Sequence, residues 1–228
     1  MTLSSLQTDF MQIPVASSPL FEFDLNEKNS LTLDLSAQNP ALEKVNSCKA
    51  LGAYIDQVLK AKGKTYALGG YAEKRVIYQR FKHFNNNPTT ERNVHLGLDV
   101  WAPALTSIYS PADARVHSFA FNNNAGDYGA TIILEHSQSG QKYFSLHGHL
   151  SLKSIESITV AQTLQAGERF AELGVEAENG GWPPHLHFQL IMDIGNYQGD
   201  YPGVVKESEK EYYLSNCLDP REYLEGVK

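Results

Sequence analysis

Five of the eight histidines fall in three short clusters. With one aspartate, they supply the residue types that bind metals and move protons. The clusters are "HLGLD" with His95 and Asp99, "LHGHL" with His147 and His149, and "HLH" with His185 and His187. Residues two apart on a strand share a face, so His185 and His187 stand roughly 6–7 Å apart at Cα and reach into a common space. One of them can bind a metal while its neighbour faces substrate or water. His95 and Asp99 are four apart, about 13 Å along a straight strand, which is too far to share one ion. Gly97 between them tolerates the bend or bulge that the pair requires. Ligands of type His, Asp and His, with a fourth position left for water, fit a catalytic zinc site. Each cluster alone is a weak signal; all three in this order, each beside a β-rich run, are a stronger one. His83, His117 and His136 read as surface or hydrogen-bonded core residues.

These clusters need a scaffold of strands. From His95 onward, short β-rich runs alternate with turn residues: "LDVWAP", "TSIYSP", "ARVHSFAF", "ATIILEH", "KYFSLHGHL", "ERFAELG" and "HLHFQLIM". "NNNAGDYG" (122–129) reads as a hairpin connection. This density predicts a mainly β fold, a compact antiparallel sandwich or barrel-like core over residues 91–195. Upstream lies an extension, 1–90. There Leu42, Val45, Leu51, Tyr54, Ile55 and Leu59 recur at helical spacing and predict one long helix, about 41–62. "LTLDL" (Leu31–Leu35) alternates as a strand does. In the tail, 196–228, Asp219 and Pro220 open a short helix.

Composition narrows the function classes. Lys plus Arg number 19 against 26 Asp plus Glu, a formal charge of −7 without any basic run. Nucleic acid is therefore a poor partner, since phosphate neutralisation supplies much of that affinity. No stretch approaches the roughly 20 apolar residues of a membrane span. The first residues lack a basic start followed by a long apolar run, so a cytoplasmic protein is expected. Cys48 and Cys217 are expected as free thiols rather than a disulfide.

The three clusters and their flanks resemble the lysostaphin-type (LytM-like) zinc metallopeptidases, whose pattern is H-x-x-x-D, then H-L near a strand end, then H-x-H. "HLGLDVWAPALTSIYSPADARVHSFA" and "AGERFAELG" also resemble that family, and the likeness spans about residues 91–195. The resemblance implies one Zn2+ per chain held by His95, Asp99 and His187, with His149 and His185 as catalytic histidines beside it. It implies hydrolysis of an amide bond in a peptide, muropeptides included. Two other readings stand beside it: a cytoplasmic zinc hydrolase of a small amide outside the cell wall, and a non-catalytic binding or regulatory module on the same fold.

The loop "GVEAENGGWPPHLH" departs from the small-residue loop common in that family. Trp182 there can wall the substrate groove or pack in the core. Tyr78 and Arg75 are candidates to steady an oxyanion, and His147 is a candidate supporting residue. An asparagine of "FNNNPTTERN" (84–93) is a candidate to occupy the open metal position as a latency device.

Overall fold

The computed structural model describes residues 14–80 and 91–224. Its strands are β1 (Ser30–Leu33), β2 (Tyr66–Gly69), β3 (Val94–His95), β4 (Leu98–Trp101), β5 (Ser107–Tyr109), β6 (Ala114–Asn122), β7 (Gly129–Gln138), β8 (Gln141–Leu150), β9 (Thr163–Leu164), β10 (Arg169–Glu172), β11 (His185–Ile191), β12 (Val204–Val205) and β13 (Cys217–Leu218). Nine of them form one sheet, in the order β1-β2-β4-β11-β8-β7-β6-β9 with β13 added beside β11. Two separate pairs, β10–β5 and β12–β3, lie off it. The fold is mainly β, as expected, but two features differ. The sheet is open rather than closed into a barrel, and it is mixed, because β1 and β2 pair in parallel.

The parallel pair has a local cause. Helix α1 (Cys48–Lys62) runs between β1 and β2, and a crossover of this kind is what returns a chain parallel to itself. The helix is shorter than the expected 41–62. Ser47 caps its N-terminus, its side chain accepting from the Ala50 N–H at 3.2 Å, and Gly63 ends it in the left-handed region. Residues Pro40–Leu42 form a separate 3-10 turn opened by Asn39. Gly52 does not interrupt α1; it lies against the Pro183 ring, with room for a Cβ at 3.4 Å. β2 then pairs with β4, so the N-terminal segment is continuous with the sheet that carries the histidines.

Strands β4 and β11 are buried on both faces, and alternation sorts their side chains. Leu98, Val100, Leu186, Phe188 and Leu190 enter a core shared with Ile108 and Phe170 of the β5–β10 pair, Leu20 and Phe21 of the N-terminal arm, and Tyr223. The intervening Asp99, Trp101, His185, His187 and Gln189 share the opposite face, where α1 packs near Trp101 and Trp182. The remaining helices are short: α2 (Leu152–Glu156), α3 (Lys210–Asn216) and α4 (Pro220–Leu224), the last being the tail helix expected after Asp219. Both cysteines are free. No helix among the described residues is long and apolar enough to cross a membrane.

Candidate metal centre

The first cluster works by changing sheets. His95 ends β3, which pairs with β12, whereas Asp99 lies on β4 of the large sheet, and Leu96 and Gly97 make the step between them. Gly97 is required for space: a Cβ there would lie 2.6 Å from Cε1 of His187 and 2.8 Å from the Phe188 carbonyl oxygen. Asp99 and His187 are direct partners across the β4–β11 ladder, which places their side chains on one face.

His95 Nε2, His187 Nδ1 and Asp99 Oδ1 converge. They are separated by 2.9 Å between the two nitrogens, 3.2 Å from His95 to Asp99 and 3.1 Å from His187 to Asp99. The partners of the remaining ring nitrogens fix the tautomers. His95 Nδ1 donates to the Gly70 carbonyl at 2.9 Å. His187 Nε2 donates to Gln189 Oε1 at 3.0 Å, and that amide is itself oriented because its Nε2 donates to the Pro202 carbonyl. Since carbonyl oxygens only accept, the inward-facing nitrogens of His95 and His187 both present lone pairs. Burial, with Arg75 adding to it, lowers the His95 pKa to about 4, so the His95 ring is neutral at pH 7. Two inward-facing ring nitrogens and a carboxylate oxygen within hydrogen-bond distance of one another suit a cation. A tetrahedral zinc site with ligand distances of roughly 2.0–2.1 Å has edges of about 3.4 Å, close to this triangle.

Asp99 stays ionised despite its burial, because the positive charges of His95, once that ring is protonated in acid, and of Arg75 hold its pKa well below the usual range. Its second oxygen accepts from Arg75 Nη1 at 2.6 Å. Arg75, 3% exposed, also reaches Glu73 Oε2 at 2.7 Å and the Tyr78 hydroxyl at 3.2 Å. Its guanidinium thus fixes the orientation of Asp99. Tyr78 is buried, lines the cleft over the triad and lies 6.5 Å from the His95 ring, centroid to centroid.

His149 reaches the site by a backbone irregularity. On β8, Gly148 pairs with His187 and His147 pairs with Phe188, so regular alternation would send His149 to the core with His147. The β7–β8 ladder slips between Ala130 and Ile132. His149 adopts φ 63° there, and its N–H donates to the Tyr128 carbonyl. This bulge turns His149 onto the metal face, where its ring lies 4.1 Å from that of His185. His147 remains in the core between Phe170 and Phe188, and its burial lowers its pKa to about 3. It does not line the cleft.

His149 Nδ1 donates to the Asn179 carbonyl and His185 Nδ1 to the Pro183 carbonyl, both at 2.8 Å. Each ring therefore keeps an unprotonated Nε2, and that of His185 lies 3.8 Å from Asp99 Oδ1. Burial depresses both pKa values, that of His149 further because His185 and His187 adjoin it. The loop supplying the two carbonyls is itself organised by the fully buried Asn179, which accepts from the Gly181 and Trp182 N–H groups and donates to the Trp182 carbonyl. Gly180, at φ 85°, lets the loop meet the β6–β7 hairpin, since a Cβ would overlap the Asp127 carbonyl. Trp182 is buried against α1 residues and also lines the cleft.

Four residues that the sequence reading passed over complete the site: Gln189, Gly70, Tyr128 and Asn179. Tyr128, on the hairpin, places its hydroxyl 3.4 Å from His187 Nε2. Gln189 continues the H-x-H alternation one step further, which is the signal that could have found it. The other expected histidines are elsewhere: His117 contacts the Ser118 hydroxyl on β6, and His136 is buried between the Asp113 carbonyl and Ser145. His83 lies outside the described residues, as do Asn85 to Asn87 among the candidate latency residues; the remaining candidate, Asn93, donates from Nδ2 to Glu91 Oε1 at 3.1 Å.

Residues 93–198 match the family model for peptidase family M23. None of the curated proteins matches the chain. Among solved structures, a zinc-containing peptidase from Vibrio cholerae is 27% identical over 48% of this chain and 31% of its own, with a TM-score of 0.35. The catalytic domain of the antimicrobial peptidase lysostaphin from Staphylococcus simulans is 18% identical over 74% of this chain and 96% of its own, at 0.45. LytU is 21% identical over 56% and 84%, at 0.36. The chain spans under a third of the Vibrio structure and under half of a putative M23 peptidase from Pseudomonas aeruginosa.

Proposed function

We propose, because residues 93–198 match the family model for peptidase family M23, that this chain is a zinc metalloendopeptidase that hydrolyses an amide bond in a peptide, muropeptides among the candidates. The observation that carries this reading is the convergence of His95 Nε2, His187 Nδ1 and Asp99 Oδ1 within 3.2 Å of one another. Those three residues would hold one Zn2+. Zinc in such a site polarises a carbonyl and lowers the pKa of water toward about 7.

The chain's own groups do the rest. His149 and His185 carry lone pairs on Nε2 at neutral pH, so either can take a proton from water attacking the amide carbonyl. The imidazolium formed can return that proton to the departing amine. Burial normally makes such an imidazolium costly, but Asp99 lies 3.8 Å from His185 Nε2 and offsets part of that cost. The cleft is walled by Tyr78, Trp101 and Trp182, which limits water around the reacting bond. Positioned acid–base groups of this kind contribute roughly 100- to 10,000-fold.

Metal analysis and a hydrolysis screen test the reading together. The expected result is one zinc per chain, lost in His95→Ala, Asp99→Ala and His187→Ala. His149→Ala and His185→Ala are expected to keep zinc and lose turnover by about 100-fold or more. Full zinc in the three ligand variants, or undiminished turnover in the other two, would refute the assignment.

A further inference from the structure

The cleft that holds the His95–Asp99–His187 triad spans about 840 Å3, part of it open to solvent, and is lined by Trp182, Leu35, Leu51 and Ile77 as well. The last three come from the N-terminal β1–α1–β2 segment and the stretch after it, outside the residues that match the family model. The same three side chains also pack with Leu42, Val45 and Val76 around a small apolar space. The wall at this end of the cleft is therefore three aliphatic side chains. At the near end stand His149 and His185, whose rings lie 6.3 Å from that of Trp182.

Resting on the peptidase reading, we infer that Leu35, Leu51 and Ile77, with Trp182, form a specificity pocket for one bulky apolar side chain, of leucine or phenylalanine size, beside the scissile bond. A glycine there leaves apolar walls facing water. A charged residue loses its hydration without finding a counter-charge on these four side chains. An aliphatic or aromatic side chain gains by area, and even one methylene in an apolar pocket is worth roughly 10-fold or more in kcat/KM.

The test uses the zinc-loaded full chain and peptides identical except for Gly, Ala, Leu or Phe at each position flanking one amide bond. Two readouts are taken: kcat/KM, and binding of acetylated dipeptide amides followed by tryptophan fluorescence. Leucine and phenylalanine are expected to exceed glycine by at least about 10-fold in both, at one flanking position. Leu51→Ala and the milder Ile77→Val, which enlarge the pocket, are expected to shift preference from leucine toward phenylalanine. Equal handling of glycine and leucine overturns the pocket, as does an unchanged preference in the folded variants. Leucine-dependent binding without cleavage of any peptide leaves the pocket standing and overturns the peptidase reading instead.

Discussion

Arg75 and Asp99 meet in the buried floor of the candidate metal site, Nη1 to Oδ2 at 2.6 Å, and the same guanidinium carries Glu73 at 2.7 Å. One cation thus serves two carboxylates and leaves Asp99 Oδ1 directed at the histidines. Arg75→Met removes that cation and leaves Asp99 buried without it. The expected loss is about 3–5 kcal/mol of stability, the usual cost of breaking a buried pair from one side. Zinc affinity should fall about 10–100-fold, as when other outer partners of metal ligands are removed. Melting with and without zinc checks both. A variant that melts and binds zinc like the parent would show that Asp99 needs no such hold.

Gly97→Ala isolates geometry from chemistry, because no ligand is altered. The added methyl group would stand 2.6 Å from His187 Cε1, against an imidazole held by Gln189. Zinc content should drop about as far as in His187→Ala. Near-full zinc in a well-folded Gly97→Ala protein would mean that the ring moves aside without leaving the site.

Gln189 sets the tautomer of His187 through its Oε1. Gln189→Leu leaves the Nε2–H with only the more distant Tyr128 hydroxyl, at 3.4 Å, and frees the ring to present the wrong nitrogen. Zinc affinity should fall about 10–100-fold, and Gln189→Glu, which keeps an acceptor, should recover most of it. Calorimetric titration of the apoprotein with zinc separates the two variants.

His136 predicts acid sensitivity away from the metal. Burial holds its pKa at about 4 against 6.5 in the unfolded chain, and its neutral ring donates from Nδ1 to the Asp113 carbonyl. Between those values the unfolded chain binds a proton that the folded one refuses, so stability falls as pH falls from 6.5 toward 4. The contribution is about 3 kcal/mol. His136→Gln should flatten this part of the profile, as read by denaturant titration of the metal-free protein from pH 7 to pH 4. An unchanged slope would assign the sensitivity to other groups.

Much of the site was legible because its chemistry is carried by distinctive residues. His185 and His187 announce a shared face by their spacing, and the glycine inside "HLGLD" announces the break that lets His95 and Asp99 meet. The choice between His147 and His149 was not legible from alternation, because it rests on one irregular backbone step held by the Tyr128 carbonyl. Arg75 carried a signal of charge but not of burial, since its partner Asp99 comes from a strand 24 residues later. The parallel β1–β2 pair escaped for a similar reason. A strand, a capped helix and a second strand, "YALG", were each present in the sequence, but the hairpin texture downstream argued for antiparallel pairing throughout.

Asn179 and Pro183, whose carbonyls receive the Nδ1 protons of His149 and His185, belong to a single short loop ordered by the Asn179 side chain. The protonation pattern of two histidines on different strands is thereby set by one backbone segment. Any displacement of that segment withdraws both acceptors at once and releases both rings to invert their tautomers in concert. The loop is thus the common support of both rings.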